Sequence, residues 1–159
     1  MKTCLVGCGG IAAVHGSVLT SGIDTEFVAA ADIKPEKAQS YAENFHTKPY
    51  PSLESMLDAE KPDVLHICTP HYLHVPMTIY ALERNINVFM EKPPAISFDQ
   101  LEELKKAAAK SEAQLGFCYQ NRYNASIRAA KDLIDSGKAG KVLGARAFVT
   151  WCRGAAYYT

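Results

Sequence analysis

A glycine-rich stretch near the start of the chain has the spacing of a phosphate-binding loop. The stretch is Gly7-Cys8-Gly9-Gly10-Ile11-Ala12, which fits the pattern G-x-G-x-x-A, and it lies between an apolar run and a segment with helical periodicity. The first glycine permits a tight turn, the second lets the backbone approach a pyrophosphate, and the small third residue allows close helix–strand packing. The N–H groups at the helix start then hold the phosphate charge.

An acidic residue lies at the distance that a dinucleotide site requires. Asp32 ends the second apolar run, 25 residues after Gly7, and an acid about 20 residues past such a loop hydrogen-bonds the adenosine ribose. Because a carboxylate repels a 2′-phosphate, the pattern predicts NAD rather than NADP, although Lys34 nearby could partly offset the repulsion. A plain tight turn with a capping aspartate, and an S-adenosylmethionine-binding domain, are the alternatives.

The elements that must position these residues alternate along the chain. Short apolar runs alternate with segments of helical spacing, which predicts an α/β fold, a doubly wound parallel sheet of the Rossmann type. The first helix groups Ile11, Val14 and Val18 on one face. Strands are predicted at Lys2–Val6, Glu26–Ala31, 64–68, 87–90, 114–119 and 142–151, and helices at 11–20, Pro35–Phe45, 52–59, 71–85, from Ser97 onward and at 125–136.

The composition excludes several classes of partner. Lysine plus arginine and aspartate plus glutamate both number 17, so the formal net charge is zero, and no basic stripe predicts binding to nucleic acid. No apolar run approaches the roughly 20 residues that span a bilayer, and the first residues lack the pattern of a signal peptide. The five cysteines are scattered without a CxxC pair, which predicts free thiols, no metal site and a cytoplasmic location.

The histidines give weaker indications. His15 is interpreted as a packing or surface residue, because nothing in the sequence pairs with it. His66 alternates within a predicted strand and is expected to be buried and hydrogen-bonded. His74 follows Thr69-Pro70 closely, so a place in a site and a place on the surface are both open.

Several motifs together resemble one family of enzymes. Beside the glycine loop, the chain contains Glu91-Lys92-Pro93, Cys68-Thr69-Pro70 followed by His74, and Asn121-Arg122-Tyr123-Asn124. With these motifs it resembles the glucose–fructose oxidoreductase/inositol dehydrogenase/MocA family. The resemblance implies an NAD(P)-binding Rossmann domain at 1–123. It also implies a connecting helix and the first strand of an incomplete, larger α/β domain at 124–159.

The resemblance also implies roles for individual residues. Glu91 packs at the cofactor, and Lys92 reaches the reacting carbon and the substrate hydroxyl. Gln120 and Arg122 correspond to positions beside the nicotinamide. The residues implied to bind the cofactor are Gly7, Gly9, Gly10, Ile11, Asp32, Thr69, Pro70, His74, Glu91, Lys92, Gln120 and Arg122.

Lys92 is the implied catalytic residue. A lysine can take the hydroxyl proton as hydride leaves an alcohol, and the prolines after it fix the backbone; a solvated lysine at a strand end is the alternative. The family also uses an Asp-x-x-x-His motif in its second domain, and nothing in this chain matches it. We therefore expect the catalytic set to be incomplete in these 159 residues, and the chain alone to be inactive.

Two classes of function follow. The first is the nucleotide-binding half of an NAD-dependent oxidoreductase that transfers hydride between nicotinamide and a hydroxyl of a sugar, inositol or related polyol. The second is a non-catalytic NAD-binding or assembly module, which a chain ending at Thr159 would fit better. The apolar strand expected at 142–151 would either form a homodimer by pairing with its equivalent or be poorly ordered, since an uncovered edge invites pairing.

Overall fold

The computed structural model describes residues 1–22 and 24–155. They divide into two compact units, Met1–Tyr119 and a second unit that begins at Gln120. The strands β1–β6 are Lys2–Val6, Glu26–Ala31, Lys48–Tyr50, Val64–Ile67, Asn87–Glu91 and Leu115–Cys118. The helices α1–α6 are Gly10–Leu19, Pro35–Phe45, Leu53–Glu60, His74–Leu82, Phe98–Lys110 and Ala125–Asp135, and short 3-10 turns lie at His71–Leu73 and Gln120–Tyr123.

The first unit is built on one parallel sheet. Its strand order is β3-β2-β1-β4-β5-β6, so β1 lies in the centre, between β2 and β4. The winding of the chain reverses between β1 and β4. Open α/β sheets bind ligands at such a point, beyond the carboxyl ends of the strands. The predicted doubly wound α/β fold is thus confirmed.

Apolar side chains cover both faces of this sheet. On one face, Leu65, Ile67 and Met90 are fully buried in a core that also includes residues of α3, α4 and α5. On the other face, Leu5 and Ala30 pack in a smaller core with residues of α1 and α2. Burial on both faces explains why the strands read as nearly continuous apolar runs.

The first helix presents its bulky apolar residues to solvent. Ile11, Val14 and Val18 do share one face, but they are 40%, 58% and 52% exposed. A Cβ added at Gly16 would lie 2.6 Å from the Tyr41 hydroxyl of α2, so the close approach of α2 requires glycine at this position of the inner face. The residues that α1 buries are Ala12, His15, Gly16 and Leu19.

Two further elements differ from the prediction. No strand was expected at Lys48–Tyr50, which contains Pro49, yet β3 forms there because it lies at the edge of the sheet, where a missing N–H is tolerated. The strand expected at 142–151 is wrong, since residues 142–154 have no regular secondary structure. A strand needs a neighbour for its backbone groups, and within the described chain none pairs with this segment.

None of the helices among the described residues combines the length and the apolar character that crossing a membrane requires.

Candidate functional site

The glycine loop connects the carboxyl end of β1 to α1. Gly7 has a φ of +92°, and its N–H donates to the Ala31 carbonyl at 2.8 Å. An added Cβ there would lie 2.7 Å from the Cys68 carbonyl carbon, so backbone conformation and packing both require glycine. At Gly9 and Gly10 an added Cβ would meet no atom within 4 Å. The fold therefore leaves room beside these two glycines that a closely bound ligand could use.

The start of α1 is open to an anion. The helix begins at Gly10, and its first turn contains no acidic residue. The first N–H groups of a helix have no partner within the helix, and they carry the positive end of its dipole. No carboxylate of the first turn competes for them, so a phosphate would find donors and a favourable field at this helix end.

A groove of about 510 Å³ lies along this loop, a volume typical of sites for small molecules. Seven of the residues predicted to bind a cofactor line it: Gly7, Gly9, Gly10, Ile11, Asp32, Thr69 and Pro70. Sequence reasoning did not single out several other lining residues: Ile33, Lys37, Ser52, Leu53, Tyr72, Leu73 and Met77. Most of these belong to the segments after β2, β3 and β4, which only the strand order brings together.

Asp32 is held in position by the backbone. Its Oδ2 accepts a hydrogen bond from the Cys8 N–H at 2.8 Å, and its Oδ1 accepts one from the Lys34 N–H at 2.9 Å. The carboxylate thus joins the glycine loop to the segment after β2, with a charge fixed at the groove. Burial beside this carboxylate raises the pKa of the Cys8 thiol to about 12, so the thiol stays protonated.

Thr69, which follows β4, lines the groove, and His74 lies behind it. The Thr69 Oγ1 is buried and has no hydrogen-bond partner among the described residues. A buried polar group without a partner is costly, and a ligand hydroxyl or amide in the groove could supply the missing bond. His74 lies deeper and is fully buried, with Nε2 2.9 Å from the Thr69 carbonyl oxygen and Nδ1 2.8 Å from that of Pro93.

His74 therefore connects two loops rather than lining the groove. Both of its partners are carbonyl oxygens, which only accept, so both bonds form when both ring nitrogens carry hydrogen. The bonds tie the Thr69-Pro70 segment to the turn after β5. A direct contact of His74 with a cofactor stays a prediction.

Glu91 and Lys92 lie at the carboxyl end of β5. The Glu91 carboxylate is almost fully buried; its Oε1 lies 3.1 Å from Nε2 of His15, and its Oε2 accepts the Lys92 N–H at 3.2 Å. Although burial raises the pKa of Glu91, hydrogen bonds from His15 and Cys118 outweigh burial and lower the pKa below its usual range. The side chain of Lys92 is exposed.

His15 and His66 complete a polar cluster that the sequence did not reveal. The Nδ1 atoms of the two rings are 2.9 Å apart, and burial together with the charge of His15 lowers the pKa of His66 to about 4. The donor atoms of His15, Glu91 and Cys118 lie within 4.8 Å of one another, as metal ligands could. Each of these groups also bonds to another group of the protein.

The remaining predicted residues belong to the second unit. Gln120 and Arg122 lie in the 3-10 turn Gln120–Tyr123, which begins that unit. Their place beside a nicotinamide stays a prediction. All five cysteines belong to the described part of the chain, and none forms a disulfide.

The first unit is a dinucleotide-binding domain of the Rossmann type. Four features define it: the strand order, the glycine loop after β1, the acid after β2 and the groove between loop and acid. A family model described as "Oxidoreductase family, NAD-binding Rossmann fold" matches residues 1–119. The chain belongs to this family, the glucose–fructose oxidoreductase/inositol dehydrogenase/MocA oxidoreductases, and the resemblance seen in its motifs is confirmed.

Several relatives are dehydrogenases of sugars or inositols by name. D-Glucoside 3-dehydrogenase of Escherichia coli K12 is 30% identical over 144 residues, which cover 89% of this chain and 41% of the relative. Inositol 2-dehydrogenase/D-chiro-inositol 3-dehydrogenase of Lacticaseibacillus casei is 29% identical over 151 residues, which cover 92% and 44%. The chain thus spans about two-fifths of the length of these relatives.

A solved structure extends the similarity to three dimensions. The WlbA dehydrogenase of Bordetella pertussis, in complex with NADH and UDP-GlcNAcA, matches with a TM-score of 0.84 at 31% identity. The match covers 87% of this chain and 43% of that one.

Proposed function

We propose that the first unit binds NAD, and that the chain is the nucleotide-binding part of an NAD-dependent oxidoreductase. The observation that carries the proposal is the open space beside Gly9 and Gly10, at the start of α1 and on the wall of the groove. The fold itself does not require glycine there, whereas a pyrophosphate lying against the backbone does. The NADH complex of the WlbA dehydrogenase supports the same ligand.

The groove offers donors and acceptors suited to the parts of NAD. The N–H groups at the start of α1 would hold the pyrophosphate. Asp32 would accept hydrogen bonds from the adenosine ribose, and its charge would disfavour the 2′-phosphate of NADP. Thr69 Oγ1 would gain the partner that it lacks in the protein. Glu91 and Lys92 would act nearer the nicotinamide, and His74 would hold the Thr69-Pro70 segment in place. A cofactor contact of Gln120 and Arg122 stays a prediction.

In the whole protein the reaction would be oxidation of a sugar, inositol or related polyol hydroxyl, or its reverse. NAD supplies a ring that accepts the hydride from the alcohol carbon. Lys92 would take the hydroxyl proton, so that the alcohol becomes a carbonyl compound as its C–H electrons leave with the hydride. The names of the relatives support this substrate class.

A substitution at Gly9 tests NAD binding directly. Gly9→Ala is expected to weaken NAD binding at least tenfold, because the methyl group would occupy the space beside the pyrophosphate. Calorimetric titration of the full chain with NAD measures the effect. Gly144→Ala is the matched control, since an added Cβ there also meets no atom within 4 Å and Gly144 does not line the groove. Equal NAD affinity in both variants, or no binding by the unchanged chain, would refute the proposal.

Two further proposals concern the domain organisation of the chain and its location in the cell. We propose that 1–123 form the NAD-binding domain and that 124–159 begin a second, substrate-binding domain. We also propose that the protein acts in the cytoplasm, where thiols stay reduced. Burial raises the pKa of Cys4 to about 12, so this thiol too stays protonated.

We also propose that 142–151 pairs with its equivalent in a second copy. The segment has no strand partner among the described residues, and Leu143 and Phe148 are 90% and 85% exposed. Light scattering on the eluting protein is expected to report a dimer for the full chain and a monomer for a chain that ends at Gly140. A monomeric full chain would contradict the pairing.

A further inference from the structure

We propose that His15 is a positioning residue, which holds the Glu91 carboxylate at the end of β5 and thereby fixes the backbone at Lys92. The proposal rests on the proposed function only for the importance of Lys92. The hydrogen bonds that support it are present in the folded chain without NAD. Its basis is a chain of polar contacts across three elements: α1, β4 and β5.

The direction of each hydrogen bond follows from the charge of Glu91. Hydrogen bonds keep this carboxyl ionised, and an ionised carboxylate only accepts. The contact of 3.1 Å therefore requires that His15 Nε2 carries hydrogen and donates. His15 Nδ1 is then free to face His66 Nδ1, at 2.9 Å, either as acceptor or as donor.

Because of His66, the hydrogen bond from His15 to Glu91 can form whether His15 is neutral or protonated. Burial and the charge of His15 lower its pKa to about 4, so the ring is neutral near pH 7 and can place its one hydrogen on either nitrogen. A neutral His15 accepts from His66 Nδ1–H, and a protonated His15 donates to the bare nitrogen. In both states Nε2–H of His15 remains directed at Glu91.

The surroundings leave few substitutes for this donor. His15 is only 6% exposed, and the titratable groups of the described structure that face it are His66 on β4, Glu91 on β5 and Cys118 on β6. Glu91 is 5% exposed, so water cannot readily replace a lost donor, and Cys118 and the Lys92 N–H would remain as donors. With fewer donors, a buried carboxylate takes up a proton more readily or moves toward solvent, and either change disturbs the bond from the Lys92 N–H.

Two amide variants separate positioning from packing. In His15→Gln, the amide nitrogen reaches the place of Nε2 and can donate to Glu91. In His15→Asn, the amide reaches only the place of Nδ1, so the contact with His66 is kept and the one with Glu91 is lost. Carbon NMR of the labelled full chain is expected to show a raised pKa of Glu91 in His15→Asn, and a pKa close to that of the unchanged chain in His15→Gln.

NAD affinity provides the second readout. We expect NAD binding to weaken by up to about tenfold in His15→Asn, the effect if the free energy of the lost hydrogen bond to Glu91 is felt at the groove, and to stay within about threefold in His15→Gln. Both variants lose the imidazole packing against Phe89, so a purely structural role would affect them alike. Equal effects of the two variants on the pKa of Glu91 would overturn the proposal.

The test stays decisive if a variant folds poorly or if NAD does not bind. Nitrogen NMR of the unchanged chain is expected to show hydrogen on Nε2 of His15 and a neutral His66 ring near pH 7. Hydrogen on Nδ1 of His15 alone would overturn the proposal without any variant. Absence of NAD binding would refute the proposed function, while the titration of Glu91 would still test His15.

Discussion

Replacing Gly7 with alanine is expected to lower the free energy of unfolding by roughly 3–5 kcal/mol. Two costs add at this position. The φ of +92° is strained for any residue with a Cβ, and the new methyl group would lie 2.7 to 2.8 Å from backbone atoms of Cys68 and Thr69. Those atoms follow β4 directly, so they cannot move aside without disturbing the pairing of β1 with β4.

Denaturant unfolding of the full chain measures this loss, and Gly9→Ala is its control. Gly9 has a φ of −86° and a ψ of −170°, which alanine adopts freely, and its added Cβ meets no atom. We expect its stability to change by less than about 1 kcal/mol. Together the two variants separate a glycine that the fold requires from one that a ligand requires. A similar loss of stability in both would mean that the loop differs from this description.

Replacing Asp32 with alanine is expected to weaken NAD binding about 10–100-fold, because hydrogen bonds to a charged group contribute about 1.5–3 kcal/mol. The affinity for NADP should fall much less. Its 2′-phosphate no longer meets a carboxylate, and Lys34 and Lys37 line the same groove. The preference for NAD over NADP should therefore narrow or reverse. Calorimetry with both dinucleotides measures the two affinities on the same chain.

Asp32→Asn separates the charge of this residue from its structural bonds. An asparagine can still accept a hydrogen bond from the Cys8 or the Lys34 N–H through its carbonyl oxygen. We expect NADP to gain affinity in this variant, while NAD loses less than in Asp32→Ala. If the unchanged chain bound NAD and NADP equally, the role given to Asp32 would be wrong.

The parts of the site that were predictable are those encoded locally. The glycine loop and Asp32 each follow a strand directly, so recognising β1 and β2 in the sequence was enough to place both residues at the carboxyl end of the sheet. The strand order explains why Thr69 and Pro70 line the same groove, because β4 lies next to β1 at the point where the winding reverses.

The parts that were missed depend on packing between distant segments. His15 and Glu91 are 76 residues apart, and no spacing rule connects a helix with a strand at that separation. The shared face of Ile11, Val14 and Val18 is exposed for a related reason, since the close approach of Tyr41 at Gly16 turns the opposite face of α1 inward. For 142–151, the apolar pattern was that of a strand, but a strand also needs a neighbour.

The central place of β1 has a consequence for how the protein emerges from the ribosome. β1 is translated before the other five strands of its sheet, yet one of its two neighbours is β4, which ends only at Ile67. Translation adds about 5–20 residues per second, so the nascent chain exposes one edge of its most buried strand for several seconds. Parallel pairings between distant segments also form slowly. β1 is thus a strand that needs protection from aggregation until β4 has been synthesised.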